Sequence, residues 1–391
     1  MKRVKELIRK GIGWIYLYVF AIRRSKVIKK SDLVFIFPYY HLGGAERVHL
    51  YITKIFENSN VTVIFTHSSA TDIYLESFRE SASIIILNPI INKRSDAVTK
   101  RLFKIIINAI NQSKEISCVF GSNTKYFYEI VPFLNKRSID LIHAFRDLDD
   151  REDMFCESAR YLDKRVVISE HGHNALSQIY ARQNLSEYLG NVVIIPNAVR
   201  SASLNQKMVN SSNEQIVVGY VGRWAPEKRP ELFLKIAKSF QGKLNYIFVM
   251  AGSGMTAYKK VITDAGVIFK GQINNPIVLQ ELYKQLDVIC ITSEYEGFPM
   301  VIMESMMSGV IPISVNVGGV SEHIINGKNG VLIDNKDEMS VTDKMISSII
   351  ELKSDFSLRK NLSNNATVYA ERSFSMDNFI HGYRALLKEK T

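Results

Sequence analysis

From residue 31 the chain alternates short apolar runs with longer amphipathic stretches. DLVFIF (32–37), VTVIF (61–65), SIIIL (83–87), ISCVF (116–120), IDLIHAF (139–145), RVVIS (165–169) and NVVII (191–195) are short and nearly continuously apolar. Such runs predict strands buried on both faces of a parallel sheet. Between two of them KRLFKIIINAI (100–110) carries the three-and-four spacing of an amphipathic helix. The stretch SASLNQKMVNSSNEQ (201–215) is polar, rich in Ser and Asn, and offers nothing to bury; it predicts a linker.

A second series follows: QIVVGYVG (215–222), NYIFVMAG (245–252), VIFKG (267–271), DVICIT (287–292), VIPISV (310–315) and GVLI (330–333), with a helical final sixty residues. Alternation of this kind predicts two doubly wound α/β halves. The expected boundaries are an arm over 1–30, a first domain over 31–198, a linker over 199–213, a second domain over 214–372, and a C-terminal helix over 373–391 packing back on the first domain. Ligands of such sheets bind beyond the carboxyl ends of the strands, so two facing sheets would line a cleft with those loops.

Composition alters this picture at one end only. The formal charge is +11, yet residues 1–30 alone hold ten Lys or Arg and one acid, Glu6. The body is therefore nearly neutral, which argues against nucleic acid as a partner. Within the arm GIGWIYLYVFAI (11–22) is apolar, flanked by basic residues, and too short to span a bilayer. Arg23-Arg24 stands where a secretory signal would place a small-residue cleavage site. The arm reads as a helix lying on an anionic membrane surface, or as one docking its apolar side on the body. Cys118, Cys156 and Cys290 have no paired spacing and read as core thiols in a reducing compartment.

Three loops at strand ends could carry chemistry. After 32–37, Gly43 and Gly44 precede a helix, where backbone can approach an anion. After 215–222, Arg223 and Lys228 flank a Trp-Ala-Pro turn and suit a diphosphate, with Pro230 opening the next helix. After 287–292, SEYEGFPMVIMES places Glu296 before a helix that starts near Pro299, and Glu304 inside it. Backbone at Phe298 through Val301 would offer N–H groups to phosphate. A carboxylate can accept from both hydroxyls of a vicinal diol.

GRWAPEK (222–228), AGSG (251–254), GQI (271–273), SEYEGFPMVIMES (293–305) and NVGGVSEHI (316–324) resemble the nucleotide-sugar half of the retaining GT-B glycosyltransferases called group 1. Glu296 and Glu304 match the E-x7-E motif of that family. The resemblance implies a GT-B fold, two Rossmann-like domains facing across a cleft. It implies that Arg223 and Lys228 hold the donor diphosphate, that Glu304 takes ribose hydroxyls, and that Glu296 holds the donor sugar. Gly43, Gly44 and the backbone around Gly297, Phe298, Pro299, Met300 and Val301 would close on phosphate. Gln272 and Ile273 would lie near the base, and Gly318 and Gly319 near the sugar. Family behaviour further implies retention of configuration and no metal or other cofactor beyond the nucleoside-diphosphate-sugar donor.

The match departs from the family at IDLIHAF, where a frequent His-x-His is reduced to His143 followed by Phe145. SEHGHN (169–174) offers His171 at another strand end, so either His143 or His171 is expected to contact the sugar. Asp147-Leu-Asp149-Asp150 has an Asp-x-Asp spacing but reads as a helix cap with first-turn acids. The expectation is a glycosyltransferase peripheral on the cytoplasmic face of the membrane, with a lipid-linked or glycan-precursor acceptor. The alternative is a catalytically silent GT-B protein that binds nucleotide sugar or glycan.

Overall fold

The computed structural model describes residues 17–69, 71–87, 96–145, 151–199 and 215–388. Most of the expected linker, residues 1–16 of the arm, and the Asp147–Asp150 acids lie outside the described residues. Each of the thirteen apolar runs is a strand. The first seven are β1 (Leu33–Phe37), β2 (Val61–Phe65), β3 (Ser83–Ile86), β4 (Cys118–Ser122), β5 (Arg137–Ile142), β6 (Lys164–Val167) and β7 (Val192–Ile194). They form one sheet in the order β3-β2-β1-β4-β5-β6-β7, parallel throughout. The remaining six are β8 (Ile216–Val221), β9 (Tyr246–Ala251), β10 (Val267–Gly271), β11 (Val288–Ile291), β12 (Ile311–Asn316) and β13 (Val331–Asp334). Their order is β10-β9-β8-β11-β12-β13, again all parallel.

Both sheets run outward in one direction and then reverse, at β1/β4 in the first and at β8/β11 in the second. Right-handed crossovers on either side of such a reversal cover opposite faces of the sheet. The loops at the reversal diverge and leave an open crevice at the carboxyl ends of the two central strands. The candidate loops named above follow these very strands.

Among the described residues the first compact unit runs to Ile168, resumes over His173–Ile195, and closes with the segment from Ile380. The second comprises Ser169–Gly172 and Pro196–Phe379. In the first, Val34, Ile36, Ile64, Val119 and Val167 pack with Leu102, Ile106 and Ile110 of the helix Asp96–Gln112. The spacing of those three helix residues keeps them on one stripe facing the sheet. The C-terminal helix Met376–Lys388 adds Tyr383 and Leu387, both buried, to this unit. In the second, Val218, Tyr220, Phe233, Met250, Ile313 and Met345 share one core. The three cysteines are free and buried.

Residues 17–29 of the arm are helical, with a π-turn over Phe20–Arg24 leading into the helix Ser25–Lys29. Leu17, Phe20 and Ile28 are buried in the core of the first unit. In this half of the arm the chain is docked on the body. Its outer face still shows Tyr18 at 69% exposure, Val19 at 43% and Ile22 at 42%, with Arg23 and Arg24 beside them.

A charged network ties β5 to β6. Arg165, fully enclosed, donates from Nε and Nη2 to the Asp140 carboxylate at 2.8–3.0 Å. Its remaining N–H groups reach the Phe155 carbonyl (2.7 Å), Ser158 Oγ (2.8 Å) and the Tyr180 hydroxyl, while Tyr128 donates to Asp140 at 2.9 Å. With these bonds made, the desolvation of the pair is largely offset.

Candidate functional site

The second unit concentrates the expected residues at its strand reversal. β8 is followed by the loop carrying Arg223, a short turn Pro226–Lys228, and the helix Pro230–Lys238 with Pro230 in its first position. β11 is followed by the loop carrying Glu296 and the helix Met300–Met307, whose N-cap is Pro299. Across the two loops Lys228 Nζ lies 2.5 Å from Glu296 Oε1, and Ser293 Oγ donates to the same oxygen at 2.7 Å. The Glu296 side chain is only 9% exposed, against 22% for Lys228. Enclosing a carboxylate without such partners would be costly.

What fixes this pair is a set of bonds between the loops. Thr292 Oγ1 donates to the carbonyls of Lys228 (2.7 Å) and Arg229 (3.0 Å). Arg229 returns Nε to the Thr292 carbonyl (2.6 Å) and Nη2 to that of Ser293 (3.1 Å). To do so its backbone sits at φ +46°, a left-handed conformation that costs a non-glycine residue about 1 kcal/mol or more. Four loop-to-loop bonds hold it there. Beneath the first loop the Tyr220 hydroxyl reaches the Arg223 carbonyl at 3.3 Å. Burial, with Glu296 nearby, pushes that phenol well up, so it stays a neutral donor.

Gly318 and Gly319 close the other side of Glu296. Gly318 has φ +55°, and a Cβ there would fall 1.7 Å from the Glu296 carbonyl oxygen, so no other residue fits. Gly319 N–H donates to the Gly297 carbonyl at 2.8 Å. Glu304 lies half-buried within the helix Met300–Met307, and Tyr283 donates to its Oε2 at 2.9 Å. The Phe298 side chain is buried and packs against His323, with centroids 4.3 Å apart, and against Phe374. Arg223 pairs with Glu227 at 2.9 Å and is 61% exposed. Gln272 and Ile273 follow β10, two strands away from β8, with Gln272 bonded to Asn274.

In the first unit Gly43 caps the helix Gly44–Ile55. The buried Glu46 carboxylate lies over it, where a Cβ on Gly43 would meet Oε2 at 2.1 Å. The helix N-terminus thus already has an acidic neighbour. His143 follows β5 and is half-buried, its Nε2 3.0 Å from His49 Nε2. His171, within the Ser169–Gly172 segment of the second unit, is exposed in the first turn of the helix Glu170–Arg182, and its backbone N–H donates to the Glu322 carboxylate.

Sequence reasoning named Lys228 and Glu296 but not their contact. It missed Ser293, Thr292, Arg229, Tyr283 and His49. Thr292 closed the quoted run DVICIT and Ser293 opened the stretch after it, and this polar pair at the end of a buried strand was the available signal. Tyr283 and His49 read only as helix residues, and nothing local distinguished them.

Residues 203–368 match the family described as glycosyl transferases group 1. Among curated proteins, an uncharacterized glycosyltransferase of Methanocaldococcus jannaschii is 28% identical over 179 residues, 44% of this chain and 45% of that protein. The GalNAc-alpha-(1->4)-GalNAc-alpha-(1->3)-diNAcBac-PP-undecaprenol alpha-1,4-N-acetyl-D-galactosaminyltransferase of Campylobacter jejuni is 26% identical over 279 residues, 63% of this chain and 74% of that enzyme. The chain thus spans about half the length of the first and three-quarters of the second. Of solved structures, Anabaena HepE in complex with UDP and glucose superposes with a TM-score of 0.73 at 18% identity, covering 92% of this chain and all of that one. At that identity the likeness is one of fold. Residues 203–368 thus match the glycosyl transferases group 1 family, and the two doubly wound α/β units have the GT-B fold.

Proposed function

We propose that the protein transfers a sugar from a nucleoside-diphosphate-sugar donor to a lipid-linked or glycan-precursor acceptor, with retention of configuration. The observation that carries this reading is the Lys228–Glu296–Ser293 cluster at the β8/β11 reversal. Cleavage of a glycosyl phosphate bond builds positive charge on the anomeric carbon and negative charge on the departing diphosphate. A cation fixed beside the leaving group stabilises that charge with little reorganisation.

Lys228 and Arg223 are assigned to the diphosphate. Each is paired with a carboxylate, so the donor exchanges one anionic partner for another and does not meet a bare cation cluster. Glu296, relieved of part of its ion pair, accepts from hydroxyls of the sugar. Glu304, oriented by Tyr283, takes the ribose diol; the backbone of 297–301 takes phosphate; Gln272 and Ile273 lie by the base; Gly318 and Gly319 pack near the sugar. In the first unit Gly43 and Gly44 approach phosphate once Glu46 turns aside, and His143, better held than His171, contacts the sugar. The acceptor hydroxyl attacks the anomeric carbon as the carbon–oxygen bond to the diphosphate breaks, and its proton passes to the departing phosphate oxygen. No metal is required in this scheme, so EDTA should leave the rate unchanged.

The test is a thermal-shift panel of UDP-, GDP- and ADP-sugars, followed by transfer with the best binder. UDP-sugars come first, since HepE was solved with UDP and UDP-glucose. A ligand at 100 times its Kd stabilises by about 2.7 kcal/mol, a shift of several degrees. No shift with any nucleotide sugar would sink the reading. A shift without transfer or donor hydrolysis would favour a silent binding protein.

Membrane association belongs to the same proposal. No helix among the described residues is long and apolar enough to cross a membrane. The exposed Tyr18, Val19 and Ile22, bordered by Arg23 and Arg24, suit an anionic bilayer surface. Deleting the arm would also strip Leu17, Phe20 and Ile28 from the core. The cleaner test is Tyr18→Ser, Val19→Ser and Ile22→Ser together, expected to release the folded protein from vesicles containing phosphatidylserine. Unchanged sedimentation would place the anchor elsewhere.

A further inference from the structure

His49 lies in the helix Gly44–Ile55, fully buried, its ring stacked on Phe37 at the end of β1 with centroids 4.1 Å apart and planes 3° from parallel. Its Nε2 faces His143 Nε2 at 3.0 Å, and its Nδ1 is buried with no partner among the described residues. Only one proton fits between two ring nitrogens at this separation, so one imidazole donates and the other accepts. The orphan nitrogen decides which. Were His49 the acceptor, its proton would sit on Nδ1 as a buried N–H with no acceptor; as donor it leaves only an unused lone pair. Orphaned buried donors are the rarer fault.

We propose that His49 is a positioning residue for His143, donating its Nε2–H to His143 Nε2 and so fixing His143 as the neutral tautomer that carries its proton on Nδ1. His143 then presents an N–H donor, aimed by a ring that packing against Phe37 cannot let turn. This rests on the reading of His143 as a sugar contact: a hydroxyl of the bound sugar would be the acceptor. The surroundings keep the pair neutral. Burial, then Arg151, hold His143 down to about 4, and burial, then His143, hold His49 well below its ordinary value. Arg151 is itself engaged with the Ala144 carbonyl at 2.8 Å. A charged pair would place two cations on one short bridge beside this guanidinium.

The experiment is long-range nitrogen–proton correlation NMR of the full chain labelled with 15N-histidine, assigned through His49→Gln, His49→Phe and His143→Ala. In the wild type His143 should show a protonated Nδ1 and an unprotonated Nε2, His49 the reverse, with neither titrating between pH 5 and 8. His49→Phe keeps the stack but removes the donor. His143 should move to the Nε2–H form that free imidazole prefers, and kcat should fall about tenfold, the worth of one oriented hydrogen bond of ~1.4 kcal/mol. His49→Gln supplies an amide N–H at a similar reach and should restore both. A wild-type His143 protonated on Nε2 overturns the proposal, as does an unchanged tautomer in His49→Phe or no recovery in His49→Gln. If the tautomers behave as expected but His143→Ala transfers sugar at the wild-type rate, the lock stands and the sugar contact falls.

Discussion

Lys228→Met is expected to lower donor turnover about 10²–10³-fold, the usual cost of removing one preorganised stabiliser of developing charge. The fold should survive, but at a cost that reveals the asymmetry of the pair. Breaking a buried ion pair costs ~3–5 kcal/mol, and the partial exposure of Lys228 reduces this to about 1–2 kcal/mol. That remainder arises because Glu296 stays enclosed with Ser293 as its partner. Glu296→Gln leaves behind the more exposed partner, an ammonium that can turn to water, so it should cost under ~1 kcal/mol. Urea melts and single-turnover assays on both variants and on the double variant separate the two effects. Stability should recover in the double variant, because no charge is left unpaired; turnover should not. A Lys228→Met rate within threefold of wild type would remove the pair from the reaction.

The largest loss of stability is expected from Asp140→Asn. The substitution keeps the shape but leaves the Arg165 guanidinium enclosed without its counter-charge. Buried pairs broken this way cost ~3–5 kcal/mol, and for a unit of this size that lowers Tm by ~10 °C. Tyr128 also loses a charged acceptor, so the cost should lie towards the upper end. Differential scanning calorimetry would register it as an early transition, because the damage is confined to one compact unit. A shift under ~3 °C would mean that water or other groups take over the guanidinium. Asp140 also lies three residues before His143 on β5, so the variant should blur the His143 NMR signals described above.

The inner strands were legible because they are covered on both faces and must be nearly all apolar; the partly exposed edge strands β3, β7 and β10 were legible only as short apolar runs between polar segments. That pattern survives any change in the loops. The loops at strand ends were legible too, from Gly43, Pro230 and Pro299, whose backbone demands are local. What could not be read is contact across the chain. Lys228 and Glu296 stand 68 residues apart, and neither residue announces the other. Arg229 gives no sign of a left-handed backbone, because bonds from Thr292 and Ser293 impose it. The arm shows a similar limit. Its composition revealed apolar and basic residues together, but which apolar side faces the protein depends on packing against the helix Asp96–Gln112, set by residues eighty positions later.

The return of the chain from Ile380 to the first unit has a consequence for biosynthesis. Tyr383 stacks edge-on against Phe120 of β4, and Arg137 of β5 bonds the Leu386 carbonyl. On the ribosome the seven strands of this sheet emerge before any of the second, yet the helix that covers them is translated only after the second unit's own residues. The N-terminal half must therefore wait, with an apolar face uncovered, through the synthesis of nearly two hundred residues, while the second unit has all of its own core in hand. Despite its position the first half is the later of the two to finish, and the interval is a window in which a chaperone has something to hold.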